Sequence, residues 1–266
     1  MTDSVRAVAF DLDDTLAVSK SPIDDRMADL LTRLVRATDV CIISGGRFEQ
    51  FESQVLQHLT GDSEALTGLH LMPTCGTRYY RWVDEEWQLI YAEDLAAEDK
   101  RRIVAVLEQG AKSLGLWEDV TWGERIEDRG SQITFSALGQ QAPPAEKYRW
   151  DADNQKKQQL REYAAERLPD LEVRVGGSTS VDVTRKGIDK GYGMRKLMAQ
   201  LGIAADQILF VGDRLEPGGN DFPVRAVGVR CVEVTCWQDT ADFVERLLAS
   251  APVSGDRPRL EVPAPS

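Results

Sequence analysis

The segment AFDLDDTL at residues 9–16 is the most informative part of this chain. It ends an apolar run, residues 5–10, that has the character of a buried strand, and it places three carboxylates directly after that strand. Burying a carboxylate is costly unless it is paired with a cation or bound to a metal. We therefore predict that a divalent cation binds at this strand end and that Asp11 acts as a nucleophile.

Two later strands of the same kind also end in polar residues. The apolar run at residues 40–43 leads into Ser44, and the run at residues 208–211 leads to Asp213. Strands that alternate with helical patterns favour an α/β fold with a doubly wound, parallel sheet. Ligands bind at the carboxyl ends of the strands in such sheets. Asp11, Ser44 and Asp213 are therefore expected to share one crevice.

The middle of the chain has a different pattern, because its apolar residues alternate as they do in antiparallel, half-exposed strands. We assign the runs at residues 79–83 and 88–91 to this part, which is an α+β domain inserted into the α/β core. The final segment is rich in proline and lacks apolar periodicity, which is typical of a mobile tail. The predicted boundaries are 1–79 and 186–250 for the discontinuous core, 80–185 for the inserted domain, and 251–266 for the tail.

Composition narrows the classes of function. The chain of 266 residues has 32 basic and 44 acidic side chains, for a net charge of −12. This balance argues against nucleic acid and membrane surfaces as partners. The four cysteines show no zinc-binding spacing, and no signal peptide or long apolar span is found, so a cytoplasmic location is expected. An anionic substrate would need a local positive charge or a metal.

The acidic segment supplies the groups that phosphoryl transfer requires. A carboxylate can attack phosphorus, and a second one can serve as general acid and base. Asp11 and Asp13 are assigned to these roles, because alternate residues of an extended chain point the same way. Together with Asp213 they are also the predicted ligands of Mg²⁺, which prefers oxygen donors.

Three other positions complete the predicted site. Ser44 and the backbone of Gly45 are expected to hold phosphoryl oxygens, and Lys190 is expected to supply positive charge in preference to Lys186. Asp221 is assigned either to the metal or to the orientation of Lys190, and these alternatives stay open. Asn220 is either a metal-site residue or a turn former.

These motifs, in this order, resemble those of the haloacid dehalogenase superfamily of phosphotransferases. The resemblance implies a Rossmann-like core, and the position of the insertion corresponds to a cap domain of the C2 type. The matching residues are Asp11, Asp13 and Thr15 in the first motif, Ser44 in the second, Lys190 in the third, and Gly212-Asp213 with Gly218-Gly219-Asn220-Asp221 in the fourth.

Within this superfamily, most of the chain resembles the eukaryotic-type phosphomannomutases. That resemblance implies that residues of the cap contact the sugar phosphate, namely Arg129, Lys147, Ser180 and Asp182. It also suggests a homodimer through the cap as the assembly. The chain departs from the mutases at three positions where they have arginine, namely Lys20, Gln140 and Lys147.

The departures favour hydrolysis over transfer, because arginine offers a bidentate fork that neither lysine nor glutamine reproduces. We therefore predict a Mg²⁺-dependent phosphohydrolase that acts on a phosphorylated sugar or sugar derivative through an aspartyl-phosphate. One alternative is a phosphomannomutase that interconverts mannose 1-phosphate and mannose 6-phosphate. Another is a non-catalytic protein that binds sugar phosphates. The sequence names neither the sugar nor the oligomeric state.

Overall fold

The computed structural model describes residues 4–59, 63–176, 179–250 and 260–261. In chain order the strands are β1 (Ser4–Val5), β2 (Ala7–Phe10), β3 (Asp39–Ile43), β4 (Leu69–Met72), β5 (Arg78–Val83), β6 (Glu86–Ala92), β7 (Ile126–Asp128), β8 (Gln132–Ser136), β9 (Leu171–Val175), β10 (Ser180–Arg185), β11 (Ile208–Gly212), β12 (Arg230–Glu233) and β13 (Leu260–Glu261). The helices are α1 (Asp25–Ala37), α2 (Phe48–Gln54), α3 (Ser63–Leu66), α4 (Ala97–Ser113), α5 (Pro144–Trp150), α6 (Gln155–Arg167), α7 (Lys190–Leu201), α8 (Phe222–Ala226) and α9 (Trp237–Ala249). Short 3₁₀ helices cover Leu56–His58, Thr74–Gly76 and Ala205–Gln207.

The chain folds as two units, a core of Met1–Tyr91 with Asp189–Ser266 and an inserted cap of Ala92–Ile188. The core sheet has the strand order β12-β11-β2-β3-β4-β5-β6. Neighbouring strands from β12 to β4 are parallel, whereas β5 runs antiparallel to β4. The predicted α/β class with a doubly wound sheet is confirmed, with the addition of this antiparallel edge.

Apolar layers cover both faces of the core sheet. Along β2, Val8 and Phe10 belong to the layer that also contains the buried residues of α1 and α9. Ala7 and Ala9 face the other layer, which contains the buried apolar residues of α7. A strand that is covered on both faces has to be apolar at every position, which explains why all four residues of β2 are apolar.

The structure corrects the predicted domain boundaries. The runs at residues 79–83 and 88–91, which were assigned to the inserted domain, form β5 and β6 of the core sheet. A tight 3₁₀ turn at Thr74–Gly76 follows β4, and the chain then returns along it as β5. Tyr79 is 1% exposed and packs in the same apolar layer as Cys41. An alternating pattern shows that one face of a strand is buried, but not which unit buries it.

The cap is an antiparallel sheet with the strand order β7-β8-β10-β9. Apolar side chains of its strands, such as Phe135 and Val181, form one cluster with the buried residues of α4 and α6. The alternate residues Thr134 and Asp182 are polar and lie opposite each other on β8 and β10. The predicted α+β character of the insertion is confirmed.

The predicted tail, residues 251–266, lies outside the described residues except for Leu260–Glu261. These two residues pair antiparallel with Ser4–Val5. Across the described part of the chain, no helix combines the length and the apolar character that are needed to cross a bilayer.

Candidate active site

The carboxyl ends of three neighbouring core strands meet, as the sequence predicts. Asp11 directly follows β2, and its backbone N–H donates to the carbonyl of Val211 on β11 at 3.0 Å. Ser44 directly follows β3, and its N–H donates to the carbonyl of Met72 on β4 at 3.3 Å. Asp213 directly follows β11. The sheet therefore places these three polar residues at one edge, although they are separated by up to 202 positions in the chain.

Lys190 is the buried cation of this edge. Asp189 caps α7 by accepting a hydrogen bond from the N–H of Tyr192 at 2.8 Å, so that Lys190 is the first residue of the helix. The Lys190 Nζ lies 2.5 Å from Asp11 Oδ1 and 2.5 Å from Asp221 Oδ1. Lys186, the competing lysine, is exposed and belongs to the cap unit.

The environment of Asp221 explains why a glycine precedes Asp213. Asp221 is fully buried, and its Oδ2 accepts a hydrogen bond from the N–H of Arg214 at 3.1 Å. A Cβ on Gly212 would lie 2.4 Å from the same carboxylate oxygen. Only a glycine leaves enough room for Asp221 to reach Lys190. Asp221 thus orients Lys190, one of the two alternatives left open by the sequence.

Asp221 also belongs to a cluster of carboxylates that fits a divalent cation. Each of Asp11, Asp213 and Asp221 offers an oxygen, and these oxygens all lie within 4.8 Å of one another. Three carboxylates with one ammonium leave an excess of negative charge in a mostly buried site. Oxygen donors of this kind are the ligands that Mg²⁺ prefers.

The pKa values in the cluster reflect this crowding. Burial raises the pKa of Asp11 well above its ordinary value, although the ammonium of Lys190 acts in the opposite direction. Burial, and then the carboxylate of Asp221, raises the pKa of Asp213. Burial alone would lower the pKa of Lys190, but Asp11 and Asp221 hold it above its ordinary value. A bound cation would favour the ionised carboxylates in place of bound protons.

The Asp13 carboxylate lies outside this group of three, and the assignment of Asp13 as a metal ligand stays a prediction. Its Oδ1 accepts from the N–H of Lys20 at 2.7 Å, and its Oδ2 accepts from Nε2 of Gln50 at 3.0 Å. The chain turns here instead of staying extended, since Asp13 pairs with Ala17 in an isolated bridge and Asp14 has φ of 62°. The rule that alternate residues point the same way does not apply within such a turn.

The remaining predicted residues of the core lie near the cluster or at its border. Ser44 is buried, and its Oγ accepts from the N–H of Gly46 at 3.1 Å, which leaves the hydroxyl able to donate. Gly45 lies between them and is half-buried. Asn220 is exposed, and its assignment to the metal site or to a turn stays open. Asp14 is exposed and accepts from the N–H of Ser19 at 3.1 Å, a contact that closes the turn.

In the cap, Arg129 and Lys147 are both connected to Gln140. The Nη2 of Arg129 donates to Gln140 Oε1 at 3.5 Å, and the Nζ of Lys147 donates to the Gln140 carbonyl at 3.0 Å. Arg129 also pairs with Glu127 at 2.6 Å, and both of these side chains are 8% exposed. Glu127 was not predicted from the sequence, and neither was β7 (Ile126–Asp128), the short strand on which it lies.

The other predicted cap residues lie on β10. Asp182 is half-buried and accepts a hydrogen bond from Thr134 Oγ1 at 2.7 Å, across the strand pair. Ser180 lies two residues earlier, opposite Ser136, and is also half-buried. The two residues therefore share one face of the cap sheet, next to polar partners on β8.

Gln50 and Gln54 on α2 were also missed. Gln54 Nε2 lies 3.4 Å from Asp13 Oδ1, and Gln50 contacts the other oxygen of the same carboxylate. Their spacing of four residues puts both amides on one face of a helix. That helix begins shortly after Ser44, so the spacing was a signal that could have found them.

Comparison with known proteins agrees with this geometry. A sequence model of the haloacid dehalogenase-like hydrolases matches residues 8–222. The chain is 26% identical over 251 residues to a protein of Caenorhabditis elegans named probable phosphomannomutase, which covers 91% of this chain and 94% of that protein. It is 25% identical over 221 residues to the phosphomannomutase of Encephalitozoon cuniculi, with coverage of 81% and 82%.

Solved structures share the fold at low sequence identity. The IMP-nucleotidase of Plasmodium falciparum superposes with a TM-score of 0.70 at 15% identity and covers 98% of this chain and 72% of that chain. A haloacid dehalogenase-like hydrolase from Bacteroides thetaiotaomicron gives a TM-score of 0.61 at 16% identity, with coverage of 91% and 99%.

Replacing Lys190 by methionine is expected to lower the free energy of unfolding by about 3–5 kcal/mol, because Asp11 and Asp221 would then be buried without a cation. Urea unfolding of chelator-treated protein measures this loss. Lys186→Met is the matched control, since its exposed side chain should change stability by less than about 0.5 kcal/mol. Similar losses in the two variants would contradict a special role for the buried ammonium.

Proposed function

The chain belongs to the family of haloacid dehalogenase-like hydrolases, and we propose that it is a Mg²⁺-dependent phosphohydrolase acting on a phosphorylated sugar or sugar derivative. The observation that carries the proposal is the ion pair between Lys190 and Asp11, at 2.5 Å, beside the carboxylates of Asp213 and Asp221. A protein that only bound an anionic ester would gain nothing from three carboxylates at the binding site. One nucleophilic carboxylate together with the ligands of a divalent cation accounts for these three carboxylates.

In the proposed reaction, a carboxylate oxygen of Asp11 attacks phosphorus, and the bond from phosphorus to the ester oxygen breaks. Asp13 donates a proton to that oxygen as the alcohol leaves. Asp13 then accepts a proton from water, which attacks the aspartyl-phosphate and releases inorganic phosphate and the free Asp11 carboxylate. Lys190 favours the ionised, nucleophilic form of Asp11, and Ser44 donates to a phosphoryl oxygen.

Asp11, Asp213 and Asp221 are the residues that would hold Mg²⁺. When bound, the ion supplies positive charge that offsets the repulsion between these carboxylates and the phosphoryl oxygens. The need for such charge is unusually strong in this chain, because its net charge of −12 repels an anionic substrate.

The cap supports hydrolysis more than transfer between two positions of a sugar. A mutase has to hold a second phosphate while the first one reacts, and bidentate contacts from arginine suit that task. Among the cap positions compared with the mutases, Arg129 is already paired with Glu127, Gln140 is a neutral amide, and Lys147 supplies an ammonium. This set offers less positive charge than several arginines would.

A phosphomannomutase is the second candidate, and the similar proteins favour it. Relatives with that name align with 81% to 91% of this chain, so that both units are included. The same aspartyl-phosphate would then be passed to a sugar phosphate instead of water. The two functions share the chemistry of the core and differ in what the cap retains.

A ³¹P NMR time course with mannose 1-phosphate, Mg²⁺ and a trace of glucose 1,6-bisphosphate separates the two candidates. We expect inorganic phosphate to accumulate at a rate that does not depend on the bisphosphate, because the cap holds a second phosphate poorly. A signal of mannose 6-phosphate that requires the bisphosphate would establish the mutase instead. If neither signal develops, a panel of other sugar phosphates tests whether the sugar is the wrong one.

Replacing Asp11 by asparagine is expected to lower turnover by at least about 10⁴-fold, because an amide oxygen is a poor nucleophile. Phosphate release with the best ester of that panel measures the change, and circular dichroism checks the fold. Asp14→Asn is the control, since Asp14 is exposed and only closes the turn. Substantial activity in the Asp11 variant would rule out the aspartyl-phosphate mechanism.

Mg²⁺ is expected to raise the melting temperature of the wild-type protein, because ligands that bind only the folded state stabilise it. Asp213→Asn should weaken this effect, with an apparent dissociation constant raised by about tenfold or more, as measured by isothermal titration calorimetry. Asp14→Asn, which leaves the cluster intact, should bind Mg²⁺ like the wild type. Equal affinity in all three proteins would place the ion elsewhere.

A further inference from the structure

The amide of Gln50 on α2 connects Asp13 with Lys20, and no sequence motif points to it. We propose that Gln50 is a positioning residue for the transfer of a proton from Asp13 to the leaving group, an inference that rests on the proposed function. Gln50 holds the Asp13 carboxylate in one orientation and does not exchange the proton itself.

The orientation of the Gln50 amide follows from the groups around it. Its Nε2 lies 3.0 Å from Asp13 Oδ2, and its Oε1 lies 3.5 Å from the Nζ of Lys20. An ammonium only donates hydrogen bonds, so the amide oxygen of Gln50 has to face Lys20. Turning the amide over would place Gln50 Oε1 against Asp13 Oδ2 and Gln50 Nε2 against the Lys20 ammonium. The Lys20 ammonium thus favours the orientation of the amide in which its nitrogen faces Asp13.

Gly46 provides the space in which Gln50 lies. A Cβ at this position would be 2.1 Å from Gln50 Oε1, so that any other residue would displace the amide. The N–H of Gly46 donates at the same time to Ser44 Oγ at 3.1 Å. The loop that carries Ser44 therefore also leaves the space in which the Gln50 side chain contacts Asp13.

The other oxygen of Asp13 has its own donors. The N–H of Lys20 donates to Oδ1 at 2.7 Å, and Nε2 of Gln54 lies 3.4 Å from it. Gln54 is only 2% exposed and is anchored on the carbonyl of Ser21 at 2.7 Å. Asp13 Oδ1 accepts from these groups, and the donor that the structure describes for Asp13 Oδ2 is Gln50. Its loss would leave the carboxylate able to rotate about the Oδ1 contacts.

A poorly oriented acid should affect some esters more than others. A leaving group that is a weak acid needs a proton as its bond to phosphorus breaks, whereas an acidic leaving group departs as an anion without one. The value of kcat/KM covers the steps up to the first irreversible one, in which the leaving group departs, and is not affected by the later attack of water. The ratio of kcat/KM for two such esters therefore reports the acid step by itself.

The test compares phenyl phosphate with p-nitrophenyl phosphate, two esters of similar size with leaving groups of different acidity. Gln50→Leu, which removes the amide at similar volume, should lower kcat/KM for phenyl phosphate by about tenfold or more, a part of what a general acid contributes. The value for p-nitrophenyl phosphate should change by less than about threefold. Gln50→Glu, which turns an oxygen toward Asp13, should show the same selectivity.

Glu49→Leu is the matched control on the same helix, because Glu49 is exposed and its described ion pair is with Arg47. Its ratio for the two esters should equal that of the wild type. A Gln50→Leu variant that lowers both values equally, or neither, overturns the positioning role while the wild-type activity still supports the proposed function. Wild-type protein that releases phosphate from neither ester is then assayed with the panel of sugar phosphates, and no release from any of them overturns the proposed function itself.

Discussion

The rest of the site depends on one buried ammonium, the Nζ of Lys190, which lies 2.5 Å from a carboxylate oxygen of Asp11 and of Asp221. Neither carboxylate could stay ionised in this buried position without a nearby cation. One lysine cannot neutralise the carboxylates of Asp11, Asp213 and Asp221 together. The site is therefore built with a remaining negative charge, and a second cation is the simplest way to offset it.

The strand ends of the core were predictable, because the same short-range pattern occurs at each of them. A buried parallel strand has to be apolar, so a carboxylate or a serine directly after it marks the edge where ligands bind. Asp11, Ser44 and Asp213 were found in this way; they follow three neighbouring strands, and the carboxylates of Asp11 and Asp213 lie close together. Lys190 was found from its place at the start of an amphipathic helix. The resemblance to the superfamily added that these residues occur in the expected order along the chain.

Other features depend on contacts that no local pattern records. The turn from Asp13 to Ala17 directs the Asp13 carboxylate away from Asp11 and toward Gln50. The strands β5 and β6 alternate like strands of the cap, but a tight turn returns them to the core sheet. In both cases the residue pattern showed whether a side chain is buried or polar. The residues that it contacts were decided by tertiary structure, which the pattern does not record. The presence of Asp221 in the carboxylate cluster, and the position of Asp13 outside it, have the same origin.

The division into two units explains why similarity to the phosphomannomutases does not carry their reaction over to this chain. In the proposed reaction the core motifs make and break the bond between phosphorus and Asp11, and a phosphatase needs them as much as a mutase does. What separates the two reactions is the grip on the rest of the substrate, and that depends on the cap. Gln140 and Lys147 meet beside Arg129 there, in a cluster that includes Glu127. This set of side chains supports the proposal of a phosphorylated sugar as substrate, because hydroxyl groups accept and donate hydrogen bonds without needing charge to balance them.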